Sequence, residues 1–266
     1  MFMLNKVTLS EILKKALEKQ PLVQQLTNMV SAQTQADFVA ILGGVSIMSE
    51  SVEEVEEIAR KSDALLINIG TPNGESPELF RRAVTAAQKK GIPAVLDPVG
   101  YGFTELRVGL TNSLLEWSRF SIIRGNSAEI SALAGTGEAP KGVSSGGKQN
   151  DMRPVVEKLA KKYGCTVSAS GAIDTISDGE TTLCLHGGSS LTATLSGIGC
   201  ALGSCTALYS AVASPFEAAL AAHAAFRFAA QLAADNTTAS GSFYRAFQDE
   251  LYGLHERNLD WRELLV

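Results

Sequence analysis

The chain has 266 residues, 45% of them hydrophobic and 19% charged, with a formal net charge of −5. That balance describes an ordinary globular protein long enough to bury a sizeable core. It excludes a general nucleic-acid or anionic-membrane binder, which needs a basic face, so any phosphate site must be local.

Residues 1–6 lack a charged segment leading into a long apolar core, so no secretion signal is expected. The most apolar stretch, 207–234, is interrupted by Ser210, Pro215, Glu217, His223, Arg227 and Gln231, and reads as buried helices rather than a membrane span. Cysteines at 165, 184, 200 and 205 have neither CxxC spacing nor paired histidines. Reduced thiols in a cytoplasmic protein are expected rather than zinc ligands.

Thr8 and Glu11 fit a capping box, and Ile12, Leu13, Ala16 and Leu17 follow at helical spacing, which predicts a peripheral first helix to about residue 18. Residues 22–26 predict a strand that ends at Thr27-Asn28, and this places Asn28 at a carboxyl end, where open α/β sheets bind ligands. A small-residue helix over 33–42 stops at Gly43-Gly44. Strand 45–48 and a helix begun by Ser51, with Val55, Ile58 and Ala59 on one face, repeat the alternation.

The run 64–70 is apolar but for Asn68, as in a strand buried on both faces, and a helix over 77–90 ends at Gly91. Strand 92–100 carries Asp97 at its exit, and strand 119–126 leads directly into helix 127–134. Strands alternating with helices predict a mostly parallel central sheet flanked by helices on both faces. Residues 135–150 are Gly-, Ser- and Lys-rich and predict an exposed loop that could serve as a lid. A helix over 155–163 precedes three strands near 165–171, 175–179 and 180–186, the last two joined by an Asp178-Gly179 turn. From Gly199 onward the chain predicts Ala-rich helices broken at Ser214-Pro215 and at 235–240. No repeat or linker divides residues 1–266, so one domain is expected.

The stretch 195–205 is the chemical focus. Gly197 and Gly199 allow close backbone approach, and the helix start behind them offers free N–H groups and a positive dipole end for phosphate. Cys200 lies on that first turn, where a thiol's pKa can be lowered. Asp97 and Glu129 are hard oxygen ligands suited to Mg²⁺, although alone they also read as a strand-end turn and a helix first-turn acid. Arg124, at a strand exit, can clamp a phosphate.

Taken in order, Leu26-Thr27-Asn28, Asn68-Ile69-Gly70-Thr71, Asp97-Pro98-Val99-Gly100, Arg124-Gly125-Asn126-Ser127-Ala128-Glu129 and Gly197-Ile198-Gly199-Cys200 resemble the hydroxyethylthiazole kinase family of ribokinase-like kinases. The resemblance is collinear from about residue 22 to 254. It implies ATP- and Mg²⁺-dependent phosphorylation of 4-methyl-5-(2-hydroxyethyl)thiazole in thiamine salvage, by a homotrimer with substrate pockets between subunits. It also implies that Asn28, Met48 and Gly197 line the thiazole site, that Arg124, Ser170 and Gly199 contact ATP, and that Cys200 is catalytic. Related kinases generally carry an aspartate at the Cys200 position, so a thiol here is a weaker base.

The chain departs from the family pattern at Ser196 and Ile198, where threonines are usual, at Gly188-Ser189-Ser190, and at Ser170-Gly171. These departures bear on nucleotide affinity and on the acceptor. A related hydroxyalkyl heterocycle as substrate, a weakly catalytic binding protein, and a nucleotide-repair dehydratase are the alternatives. The dehydratase would need an aspartate at position 200.

Overall fold

The computed structural model describes residues 8–136, 151–257 and 259–266. Residues 137–150, most of the expected exposed loop and lid, lie outside the described residues.

Helix α1 (Leu9–Lys19) starts in the expected capping box: Thr8 Oγ1 accepts from the Glu11 amide at 3.2 Å, and the Thr8 amide donates to Glu11 at 2.7 Å. It is less peripheral than its position suggests, because Leu9, Ile12, Leu13 and Ala16 are buried in the core. Strand β1 (Leu22–Leu26), α2 (Ala32–Ile41) and β2 (Val45–Met48) follow within a residue of expectation. Helix α3 (Val55–Lys61) begins later than Ser51 predicts, because the Ser51 hydroxyl bonds the nearby Glu53 carboxylate and residues 52–54 turn before the helix starts.

Strand β3 (Ala64–Asn68), α4 (Ser76–Lys90) and β4 (Ala94–Asp97) complete the first half, and Gly91 closes α4 at φ +78°. Helix α5 (Glu105–Trp117) has no counterpart in the sequence reading. Gly109 and the polar run Thr111-Asn112-Ser113 weaken its propensity and its apolar stripe, so tertiary burial of Leu110 and Leu114 and the Thr104 cap hold it.

The second half comprises β5 (Ile122–Asn126), α6 (Ser127–Leu133), α7 (Arg153–Tyr163), β6 (Thr166–Ser170), β7 (Asp174–Ser177), β8 (Thr182–Leu185), α8 (Ile198–Ser210), α9 (Pro215–Asn236) and α10 (Ser240–Gly253). All eight strands form one sheet in the order β2-β1-β3-β4-β5-β6-β7-β8. It is parallel from β2 to β6, then antiparallel through β7 and β8, whose turn carries Gly179 at φ +95°.

Alternating strand residues face opposite layers. Leu66, Val95 and Ile122 pack under α1, α2, α8, α9 and α10, whereas Leu65, Ile67, Leu96 and Ile123 pack against α4, α5 and α7. Among the described residues no helix is long and apolar enough to cross a membrane.

Candidate active site

Five neighbouring strand ends present a connected row of polar side chains. Asn28 follows β1, Asn68 and Asp97 end β3 and β4, Arg124 lies in β5, and Ser170 ends β6. Asn28 Nδ2 donates to Asn68 Oδ1 at 2.8 Å, Asn68 Nδ2 donates to Asp97 Oδ2 at 3.0 Å, and Arg124 reaches Asp97 Oδ2 at 3.5 Å and Ser170 Oγ at 2.5 Å. Parallel pairing produces this row, because it brings all the carboxyl ends to one side, with Asn68 directly opposite Asp97.

Helix α8 lies across the row, with glycines at its closest approaches. A Cβ at Gly199 would stand 3.4 Å from Arg124, and one at Gly203 would stand 3.0 Å from Asp97 Oδ2. Gly197 caps the helix at φ +86°, where a Cβ would also run into Ser31 at 2.8 Å. The first helical bond joins the Ala201 amide to the Gly197 carbonyl at 2.8 Å, so the amides of residues 198–200 precede any helical acceptor. Ile198 turns inward and is buried in the core, which leaves its backbone rather than its side chain at the site.

Cys200 Sγ accepts from Asn28 Nδ2 at 3.4 Å. Its pKa does not fall as the helix start suggests. Burial pushes it up and nearby Asp97 adds to that, against the opposing hydrogen bonds of Ser31 and Asn68 and the charge of Arg124. Cys200 is therefore a neutral thiol near pH 7. Asn28 is fully engaged, since its Oδ1 also accepts from the Ser31 amide (3.1 Å) and hydroxyl (2.9 Å). Met48 is half-buried at the end of edge strand β2, opposite Gln25, one strand beyond the row.

Asp97 is fully buried, and that burial raises its pKa to about 7; Arg124 opposes the rise and Glu129 adds to it. Its Oδ1 has no hydrogen-bond partner, and neither does Arg124 Nε. Glu129 closes a capping box on α6: its Oε2 accepts from the Asn126 amide at 2.7 Å, while Oε1 accepts from the Gly100 amide at 2.8 Å. Burial raises its pKa too, against those amides and the charges of Arg124 and Arg107. Glu129 is thus both a helix-cap residue and a tie to the loop after Asp97.

Three features of the site are given no role by the sequence alone. Asn68 joins two expected site residues, and its signal is a polar side chain at the exit of an apolar strand. Arg107, on the unread α5, donates to the carbonyls of Ile69 (3.1 Å), Val99 (2.6 Å) and Gly70 (2.6 Å), fixing the loops after β3 and β4. Asp174, His223 and Arg227 form a buried cluster beside the β6 end, and its signal is two ionisable residues four apart in an otherwise apolar helix. No group of three or more His, Cys, Asp or Glu side chains that could hold a metal occurs among the described residues. A cavity of about 560 Å³ lined by Trp117, Arg119 and Tyr163 adjoins the opposite, amino ends of β5 and β6 and shares no residue with the row.

The family model of the hydroxyethylthiazole kinase family matches residues 13–257. A hydroxyethylthiazole kinase of Haemophilus influenzae is 40% identical over 253 residues, covering 94% of this chain and 96% of that protein. The structure of a hydroxyethylthiazole kinase protein from Pyrococcus horikoshii OT3 superposes with a TM-score of 0.86 at 32% identity, covering 95% of this chain and 96% of that one. A ribokinase-like superfamily protein from Enterococcus faecalis V583 shares the fold, with a TM-score of 0.61 at 12% identity over 86% of each chain.

Proposed function

The chain belongs to the hydroxyethylthiazole kinase family, and on that premise we propose that it transfers a phosphoryl group from ATP to the hydroxyl of 4-methyl-5-(2-hydroxyethyl)thiazole at the row of strand ends under α8. The observation that supports this placement is the unfinished pairing within an otherwise connected row. Asp97 Oδ1 and Arg124 Nε are buried without partners, directly beneath the glycine face of a helix start. Buried polar atoms are rarely left alone; a phosphate oxygen would accept from Arg124 Nε, and a cation would complete Asp97 Oδ1.

Phosphoryl transfer needs positioning and charge neutralisation more than covalent chemistry. Arg124, Ser170, and the amides of residues 198–200 at Gly199 offer donors to phosphate oxygens. The oxygen set of Asp97 and Glu129 fits Mg²⁺, which takes few protein carboxylates and keeps several waters. When bound, the ion would neutralise phosphate charge.

On the acceptor side, Gly197 and Met48 line the thiazole, and Asn28 acts by holding Cys200 and Asn68 in place. Cys200 touches the acceptor hydroxyl as a neutral thiol and orients it. Met29 (77% exposed) and Val30 (70%) follow Asn28 as exposed apolar side chains next to the row, which supports a homotrimer whose subunits share each pocket. The single sheet among the described residues supports reading residues 1–266 as one domain, and a role in thiamine salvage is in keeping with a cytoplasmic enzyme.

The test is turnover. Purified protein with Mg-ATP and a panel of hydroxyalkyl thiazoles and pyrimidines should phosphorylate the thiazole alcohol, and tight binding with no product from any of them would sink the reading. Light scattering at defined concentration should give three times the chain mass.

A further inference from the structure

Arg227 and Asp174 lie outside the row, and phosphoryl transfer makes no direct use of them. Arg227 projects from α9 with only 8% of its surface exposed, yet every one of its five N–H donors is engaged. Nε donates to Asp174 Oδ2 at 2.9 Å, and Nη2 donates to Asp174 Oδ1 at 2.5 Å. Nη2 also reaches the Gly171 carbonyl at 2.7 Å, while Nη1 reaches the carbonyls of Ala172 at 2.9 Å and Gly187 at 2.5 Å. Asp174 Oδ1 returns the contact by accepting from the Gly171 amide at 2.9 Å.

Pairing with Asp174 alone would satisfy the charge. The other three bonds go to backbone carbonyls on two separate connections, one leaving β6 immediately after Ser170 and one leaving β8. Gly187 and Gly188 follow β8 with φ of +86° and +77°, and a Cβ at Gly188 would stand 3.2 Å from Arg227 Cδ, so this loop lies directly on the arginine stem. From there the chain runs through a 3₁₀ turn (Ser190–Thr194) to Gly197 and the amides of α8. One guanidinium therefore sets the spacing between the segment carrying Ser170 and the segment leading to the α8 amides.

We infer that Arg227, backed by Asp174, is a positioning residue for the nucleotide. It holds the 171–172 and 187–188 connections so that Ser170 and the α8 amides converge on the same phosphates. This rests on the placement of ATP given above.

The test uses Arg227→Lys in the full chain, with circular dichroism and thermal melting to confirm folding. Lysine keeps the charge and can pair with Asp174, but a single ammonium cannot reproduce the planar fork that joins three carbonyls. The expected result is a rise in KM for ATP of about tenfold, with KM for the thiazole alcohol within about twofold of wild type, since small misplacements of binding groups are costly. A purely structural role would lower the melting temperature and leave both KM values of the folded protein unchanged, which overturns the inference.

Asp174→Asn keeps one oxygen acceptor and the side-chain shape, and decides the matter if Arg227→Lys does not fold. A smaller rise in ATP KM is expected, and an unchanged value overturns the inference. Ser170→Ala separates the two readings. If its ATP KM is unchanged, the nucleotide placement fails and the clamp with it. If its ATP KM rises while that of folded Arg227→Lys stays at the wild-type value, the clamp alone fails.

Discussion

Arg124 and Arg227 are both buried arginines that meet a buried aspartate, yet one pair is open and the other is closed. Arg227 forks onto Asp174 and spends every remaining donor on carbonyls. Arg124 stands 3.5 Å from Asp97, beyond the ~2.7–2.9 Å of a charge-assisted bond, and leaves its Nε and the Asp97 Oδ1 unpartnered. Burying charge without full pairing costs free energy, which the proposed phosphate and cation would offset at this pair. Their electrostatics follow the same division. Burial dominates at Asp97 and raises its pKa, whereas at Asp174 the opposing pull of the Arg227 guanidinium, joined by His223 once low pH protonates it, outweighs burial and holds the carboxyl below the usual range. Of these two arginine–aspartate pairs, the fully bonded one ties loops together and the loosely bonded one lies in the row beneath α8.

The comparison breaks most readily at Arg227. Arg227→Met keeps the length of the stem but abandons Asp174 and three carbonyls, and should cost about 3–5 kcal/mol of unfolding free energy. Urea unfolding measures this, and a loss below about 1 kcal/mol would remove the claim that the closed pair is scaffold.

Arg124→Met should do the reverse. Turnover should fall by about 10²–10³, as when one donor to developing charge is removed. Stability should change little, because Asp97, with its raised pKa, can take up a proton once its cation is gone. Steady-state kinetics and urea unfolding on the same preparation decide it. A stable, fully active Arg124→Met would remove the arginine from the site.

Cys200 sharpens the same contrast on the acceptor side. Cys200→Ala should lower kcat by about tenfold with little change in thiazole KM, less than the ~10²–10⁴ of a true general base. Cys200→Ser, which can still accept from Asn28, should retain most of the rate. Wild-type turnover in Cys200→Ala would end any catalytic assignment for the thiol.

How far these features were legible depended on whether local pattern or tertiary context decided them. The parallel strands were readable because runs such as 64–67 are apolar on both faces, and the family was readable because several motifs lie in one order. Helix α5 was not, since burial of Leu110 and Leu114 overrides its glycine and polar run. That hid Arg107, which acts only through carbonyls brought near by two other strands. For Cys200 the helix start was visible, but the burial and the Asp97 charge that raise its pKa arise only when β4 and α8 meet. Arg227 carried a signal in the apolar helix, but its partners lie 40 to 56 residues away.

His223 gives the smallest and most specific test of the closed region. It is fully buried on α9, with Nδ1 2.9 Å from Asp174 Oδ2 but out of line for a hydrogen bond, and neither ring nitrogen has a partner. Burial lowers its pKa, while Asp174 pulls the other way and Arg124 and Arg227 add to the lowering. The unfolded chain, with an ordinary imidazole near ~6.5, therefore binds more protons than the native one just below that pH. The His223 contribution to stability should accordingly fall as pH drops through about 6.5, by at most ~1.4 kcal/mol per pH unit for one proton, while Asp97, whose folded pKa is raised to about 7, takes up its proton first in the native state and contributes with the opposite sign over the same range. The depressed Asp174 carboxyl contributes in a separate window: its stabilisation is present above the ordinary carboxylate range and is lost only as pH falls below ~4 toward its folded value. Urea unfolding between pH 7.5 and 5 should thus show wild type losing stability relative to His223→Gln as pH falls, the difference between the two profiles cancelling the Asp97 contribution they share. An equal slope in both would mean that the imidazole already carries its proton in the folded state, and that the closed cluster is a charged triad rather than a salt bridge beside a neutral ring.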